Sequence, residues 1–80
     1  MRLLQLQYFC AIAEHENMSR AASIMNVAQS AMSKSLASLE EELGVRLFER
    51  EGKYLVLNEN GRLLYEQASY ALSLLENAAK

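Results

Sequence analysis

A mainly α fold is predicted by three features of this 80-residue chain. Apolar residues recur at helical spacing in several separate segments, capping and turn signals divide those segments, and one short β-favouring stretch folds about a glycine. Together they describe three helices, a two-stranded hairpin and a long final helix, which is a winged helix-turn-helix carrying one further helix. With 51% hydrophobic residues, 22% charged, three Gly and no Pro, the composition is that of a helix-rich globular unit without a low-complexity tract. A chain this short buries only about 60% of its unfolded surface, so a second chain is expected to add stability.

The first helix is read from residue 3 to about 16, with Leu6, Phe9, Ile12 and Ala13 on one face and Cys10 beside them. Ser19 is the expected N-cap of the second helix, where Ala21 and Ala22 allow the close approach that a tight turn demands. In the third helix Met32, Leu36, Leu39 and Leu43 form an inward stripe, and Gly44 can end it in the left-handed conformation. Leu47–Arg50 and Tyr54–Leu57 then read as strands around Glu51-Gly52-Lys53, with Leu55 and Leu57 inward and Tyr54 and Val56 outward.

Opposite its apolar stripe the third helix carries Ser30, Ser33, Lys34 and Ala37, a small and donor-rich face. A helix entering the major groove of DNA needs such a face, because bulky apolar groups could not approach base edges. Gln29 stands at the start of that face and can both donate and accept at an adenine edge. The formal net charge of −2 opposes phosphate binding overall. The distribution favours it, since Arg20, Lys34, Arg50 and Lys53 fall in or near these elements and most glutamates fall elsewhere. Arg46 is assigned as an ion-pair partner for Glu40 to Glu42, a run read as a solvated face.

Asn58 caps the last helix, which has no stop signal before Lys80. Leu64, Ala68, Ala71, Leu75 and Ala78 alternate steps of four and three, and Tyr65, Leu72 and Ala79 widen the seam. The expected organisation is therefore a winged helix-turn-helix over residues 1–57 and a dimerisation helix over 58–80. Leu64, Ala68, Ala71, Leu72, Leu75 and Ala78 are assigned to a homodimer contact.

Other classes find little support. Cys10 sits alone in an apolar run, so it reads as a core residue, and a reducing, cytoplasmic setting fits. His15 has no visible partner for catalysis, and no phosphate loop, carboxylate pair or metal-ligand spacing is present, so no enzyme, metal or cofactor is expected. No apolar run approaches the ~20 residues of a membrane span. The rival from another class is a protein-interaction module in which the helix-turn-helix is only a scaffold. The negative net charge supports it, and the placement of Gln29, Ser33, Lys34 and Arg50 opposes it.

Leu6-x-x-Phe9 with Ala11 and Ala13, Ser19-Arg20-Ala21-Ala22, Val27-x-Gln29-Ser30-Ala31-Met32-Ser33 and Leu39-Glu40-x-Glu42-Leu43-Gly44-Val45-x-Leu47-Phe48-x-Arg50 occur together without gaps. This set resembles the N-terminal DNA-binding region of LysR-type transcriptional regulators. The resemblance implies that Gln29, Ser30, Ser33 and Lys34 read a major groove of double-stranded DNA. It implies that Arg50 and Lys53 enter or flank a minor groove, and that Ser19 or Arg20 holds phosphate. The final helix resembles the linker that pairs two heads on an interrupted dyad, and the effector-binding domain that follows it in the family is expected to be missing from these residues, so a small-molecule effector would act only through that domain. Three positions depart from the usual pattern. Ala28 replaces a common capping Ser, a loss of ~1 kcal/mol in helix stability. Lys34 replaces a frequent Arg, and Tyr54 and Val56 stand where the wing is often basic.

Overall fold

The computed structural model describes residues 1–79 and contains four helices and one hairpin, in the order α1 (Leu3–His15), α2 (Met18–Met25), α3 (Gln29–Leu43), β1 (Phe48–Glu51), β2 (Tyr54–Leu57) and α4 (Glu59–Ala78). Lys80, where the last helix was expected to end, lies outside the described residues. Phe9, Cys10, Ala11 and Ile12 of α1 sit at the centre of a single core with Ala21, Ala22, Met32, Leu39, Leu47 and Phe48. The rings of Phe9 and Phe48 meet edge to face with centroids 5.5 Å apart, which joins α1 to the wing.

Sharp corners between helices need left-handed residues, and two of these are not glycine. Glu16 (φ 54°) ends α1 with its N–H donating to the Ile12 carbonyl. Its own carbonyl accepts from Leu55 N–H at 2.9 Å, so the corner also supplies β2 with a backbone partner. Asn26 (φ 60°) ends α2, and Val27 N–H returns to the Ala22 carbonyl at 2.9 Å. Asparagine tolerates this region better than other chiral residues. Ala21 and Ala22 are buried against this turn, as their size predicts.

The start of α2 differs from the sequence reading. Asn17, not Ser19, is the N-cap, accepting from Arg20 N–H at 2.8 Å. A cap must be extended, and Asn17 is (φ −156°, ψ 122°), whereas Ser19 already lies inside the helix. Its hydroxyl is therefore free for another partner. The α3 assignments agree with the sequence: Met32 and Leu39 are buried, Leu36 and Leu43 half-buried, and Ser30, Ser33, Lys34 and Ala37 exposed. Ala28 supplies no side-chain cap, and Gly44 (φ 72°) closes the helix.

The hairpin pairs Phe48 with Leu57, Glu49 with Val56, Arg50 with Leu55 and Glu51 with Tyr54, so β1 runs one residue later than expected and Gly52-Lys53 forms the turn. Gly52 takes a left-handed conformation (φ 61°) that a side chain would strain. The base of the wing is fastened at Leu47, whose N–H donates to Glu40 Oε2 and whose carbonyl accepts from Asn58 N–H. Glu40 thus has a structural role rather than lying on a purely solvated face. Arg46 is not an ion-pair partner: among the described residues the only such pair joins the Met1 α-amino group to Glu42.

Asn58 caps α4 as read, accepting from Gly61 N–H at 2.8 Å. Gly61 itself is buried, and a Cβ there would overlap the Leu47 carbonyl oxygen. Only glycine lets α4 cross the base of the wing this closely. Ala68 is 3% exposed in the core, with Leu64, Tyr65 and Leu72 packed around it. The first half of α4 is therefore part of the head, and the core does not end at residue 57.

Candidate nucleic-acid interface

Recognition requires that the outer face of α3 and the wing reach one surface together. A cleft of about 210 Å³ does this, lined by Asn17, Met18, Ser19, Gln29, Ser33, Arg50, Lys53 and Leu55. Strand alternation explains the placement of Arg50. It is paired with Leu55 and shares a side of the hairpin with Phe48 and Leu57, so it faces the helices, while Glu49 and Glu51 take the other side. All three still line a second shallow groove along β1 with Arg46 and Asn58, so the acidic neighbours remain close to Arg50 at that edge. Lys53 occupies the exposed turn beside Gly52.

Two helices supply the opposite wall. Gln29 is the first residue of α3, and one turn later Ser33 lies on the same exposed face. Ser19 Oγ donates to Gln29 Oε1 at 2.6 Å, a link between α2 and α3 that the sequence reading did not anticipate. The signal was available only indirectly, in Asn17 as an alternative cap two residues earlier. Ser30 and Arg20 are exposed on the flanks of the cleft's residues. Lys34 belongs to a different groove, with Gln5, Tyr8, Ala31, Ser38 and Glu42 between α1 and α3. Of the eight residues assigned to DNA, five therefore share one concave surface.

A groove of about 630 Å³ lies elsewhere, between α1, the end of α2 and the later part of α4, with Cys10, Ile24, Leu72 and Leu75 in its lining. It contains none of the residues assigned to DNA. Cys10 is buried, and that burial together with the charge of Glu14 pushes its thiol up to about 11, which suits a packing residue rather than a nucleophile. No helix among the described residues is long and apolar enough to cross a membrane, and no cluster of metal-ligating side chains occurs among them.

The six residues assigned to a partner helix divide. Ala68, Leu64 and Leu72 pack on the head, whereas Ala71, Leu75 and Ala78 are exposed. The sequence reading missed a second stripe: Leu63, Tyr70 and Leu74 are 63%, 66% and 51% exposed. At 100° per residue these three lie within about 40° of one another, and about 160° from Gly61, Ala68 and Leu72. The signal was present in the spacing of seven and four.

Comparison with known proteins identifies the family and the fold. The family described as "Bacterial regulatory helix-turn-helix protein, lysR family" matches residues 3–62. The chain is 45% identical over 78 residues to the HTH-type transcriptional regulator YeiE of Escherichia coli K12, covering 98% of this chain and 26% of that protein. It is 44% identical over 80 residues to the regulator GbpR of Azospirillum brasilense, covering all of this chain and 23% of the other. The chain thus spans about a quarter of the length of such relatives. Among solved structures, the BenM DNA-binding domain in complex with benA site 1 DNA superposes with a TM-score of 0.94 at 33% identity, covering 99% of this chain and 92% of that one. The CbnR DNA-binding domain in complex with DNA gives 0.91 at 35% identity, covering 99% and 91%.

Proposed function

We propose, for a chain that belongs to the LysR family of bacterial regulatory helix-turn-helix proteins and forms the DNA-binding domain of a transcriptional regulator, that it reads an interrupted dyad in double-stranded DNA as a homodimer. The observation that carries this reading is the meeting of Ser19, Gln29, Ser33, Arg50 and Lys53 around one cleft. In this arrangement the first turns of α3 enter the major groove, with Gln29, Ser30 and Ser33 toward base edges and Lys34 toward the backbone. Arg50 and Lys53 follow the adjacent strand or minor groove from the wing, and Arg20 neutralises phosphate beside α2.

Two heads are held together through α4 by the exposed stripe of Leu63, Tyr70 and Leu74 with Ala71, Leu75 and Ala78 beside it. The small alanines let the two backbones come close, and the side of α4 that packs on its own head is not used. The organisation is accordingly a head that includes the first half of α4, and a projecting second half that pairs. The function is binding in the bacterial cytoplasm and not catalysis. Any small-molecule effector acts through chain beyond these residues.

The test is selection of duplexes from a random pool by the 80-residue chain at moderate salt, followed by sequencing. Enrichment of two half-sites at fixed spacing is expected. With about four basic residues per head a dimer neutralises up to ~8 phosphates, so affinity for the enriched duplex should fall with salt at a log-log slope near −7. A folded, dimeric chain that enriches nothing and shows a slope near zero would instead support the interaction-module alternative.

A further inference from the structure

The hydrogen bond between Ser19 and Gln29 bears on which base the head selects. Its length of 2.6 Å is ordinary for O–H···O and short for N–H···O, so the oxygen of the carboxamide, and not its nitrogen, meets the hydroxyl. The backbone makes this partnership available. Asn17 caps α2, so Ser19 is not needed as a cap, and Gln29 opens α3 directly after the turn. A serine hydroxyl carries one hydrogen, and here it is given to Gln29. A phosphate oxygen only accepts, so Ser19 cannot serve it without giving up this bond.

We infer that Ser19 is a specificity-positioning residue: by holding Gln29 Oε1 it presents the Gln29 amide nitrogen as a donor and directs the head toward base edges made of acceptors, guanine before adenine. Paired recognition of adenine by glutamine uses both ends of the amide, Oε1 accepting from N6 and Nε2 donating to N7. With Oε1 already accepting from Ser19 on the α2 side, that pair has to use the remaining lone pair of an oxygen held by another helix, whereas contacts to acceptors need only the unencumbered Nε2. Guanine offers N7 and O6, both acceptors, and a donor suffices for either. The expectation that Gln29 reads an adenine edge is thereby revised for this chain. Ser19 touches no base and acts through the orientation of its neighbour.

The inference rests on Gln29 as a base reader, and the experiment separates the two. Duplexes are selected from a random pool by the wild-type chain and by the Gln29→Ala, Ser19→Ala and Ser19→Thr variants. The base pair whose preference disappears in Gln29→Ala is then varied through all four bases in titrations with purified duplex. The wild-type chain should prefer guanine there by about tenfold over adenine. Ser19→Ala should reduce that ratio to about threefold or less, or invert it toward adenine. Ser19→Thr keeps the hydroxyl and should restore the ratio. If Gln29→Ala flattens one position but Ser19→Ala leaves it as in wild type, the positioning role is overturned while base reading by Gln29 stands. If Ser19→Ala weakens all duplexes equally and leaves the base preference as in wild type, Ser19 is a phosphate contact and the inference fails. If Gln29→Ala changes no preference at any position, base reading falls and the inference with it.

Discussion

The two halves of α4 are built from similar residues and have opposite fates. From Glu59 to Ala68 one side of the helix is locked to the wing and core by Gly61, Leu64, Tyr65 and Ala68. Among the described residues from Ser69 onward only Leu72 is packed on the core, and Tyr70, Leu74 and Leu75 all stand more than half exposed. An apolar seam read from sequence alone averages these cases. Leu64, Ala68, Ala71, Leu75 and Ala78 centre between the buried side and the exposed side, because a helix apolar on two sides has no single stripe. The comparison teaches that a side covered by the head and a side left exposed carry the same periodic signature.

The strongest way to break this division is to charge the exposed stripe. Replacing Leu63 and Leu74 together by Glu should leave each head folded and abolish pairing. Each leucine is about half exposed in the single chain and regains roughly 1 kcal/mol by burial, four times per dimer, for about 4 kcal/mol. Sedimentation equilibrium should register a loss of dimer affinity on the order of a thousandfold. A variant that stays dimeric would move the contact to the Ala71, Leu75 and Ala78 side.

Gly61→Ala attacks the other half and should have the reverse signature. The added methyl meets the Leu47 carbonyl oxygen, which is itself bonded to Asn58 N–H, so neither backbone can yield without loosening the base of the wing. A loss of about 1–3 kcal/mol in unfolding free energy is expected from urea titration at a protein concentration where both proteins are monomeric. An unchanged midpoint would mean that the first half of α4 is not fastened as described.

Much of the fold was legible because it depended on local chemistry. Gly44 and Asn58 end and start helices through their own backbone and side chain, and the inward stripe of α3 follows from 3.6 residues per turn. The unread features depend on what lies far away in sequence. Asn17 and Ser19 are both good caps, and only the extended backbone at Asn17 decides between them. Gly61 is required by a carbonyl 14 positions earlier in the chain. Arg46 was assigned to the nearby glutamates by sequence proximity, but Glu40 is taken by the Leu47 amide and Glu42 by the Met1 amine. For the interface, residue types were readable, while the bond that orients Gln29 was not, since it joins the starts of two different helices.

The smallest expected effect lies where the first half of α4 meets α1. Tyr65 donates its hydroxyl hydrogen to Glu14 Oε2 at 2.8 Å. That hydrogen bond, then partial burial and the charge of Glu14, push the phenol from 10.0 up to about 12. Raising the pKa of an acid on folding means that the neutral form is favoured in the folded chain. The resulting stability is complete below pH 10, the unfolded value, and is lost as pH rises through about 12. Cys10, held up at about 11 from 9.0, adds a loss that begins about one unit earlier. Tyr65→Phe should therefore cost at most about 1 kcal/mol at neutral pH, because the bond is exposed to water. It should also shrink the fall in unfolding midpoint between pH 10 and 12 and leave dimer affinity as it was. An alkaline profile identical to wild type would place the bond among contacts that water replaces at no cost. A change in dimer affinity would show that the fastening of the first half of α4 controls the second.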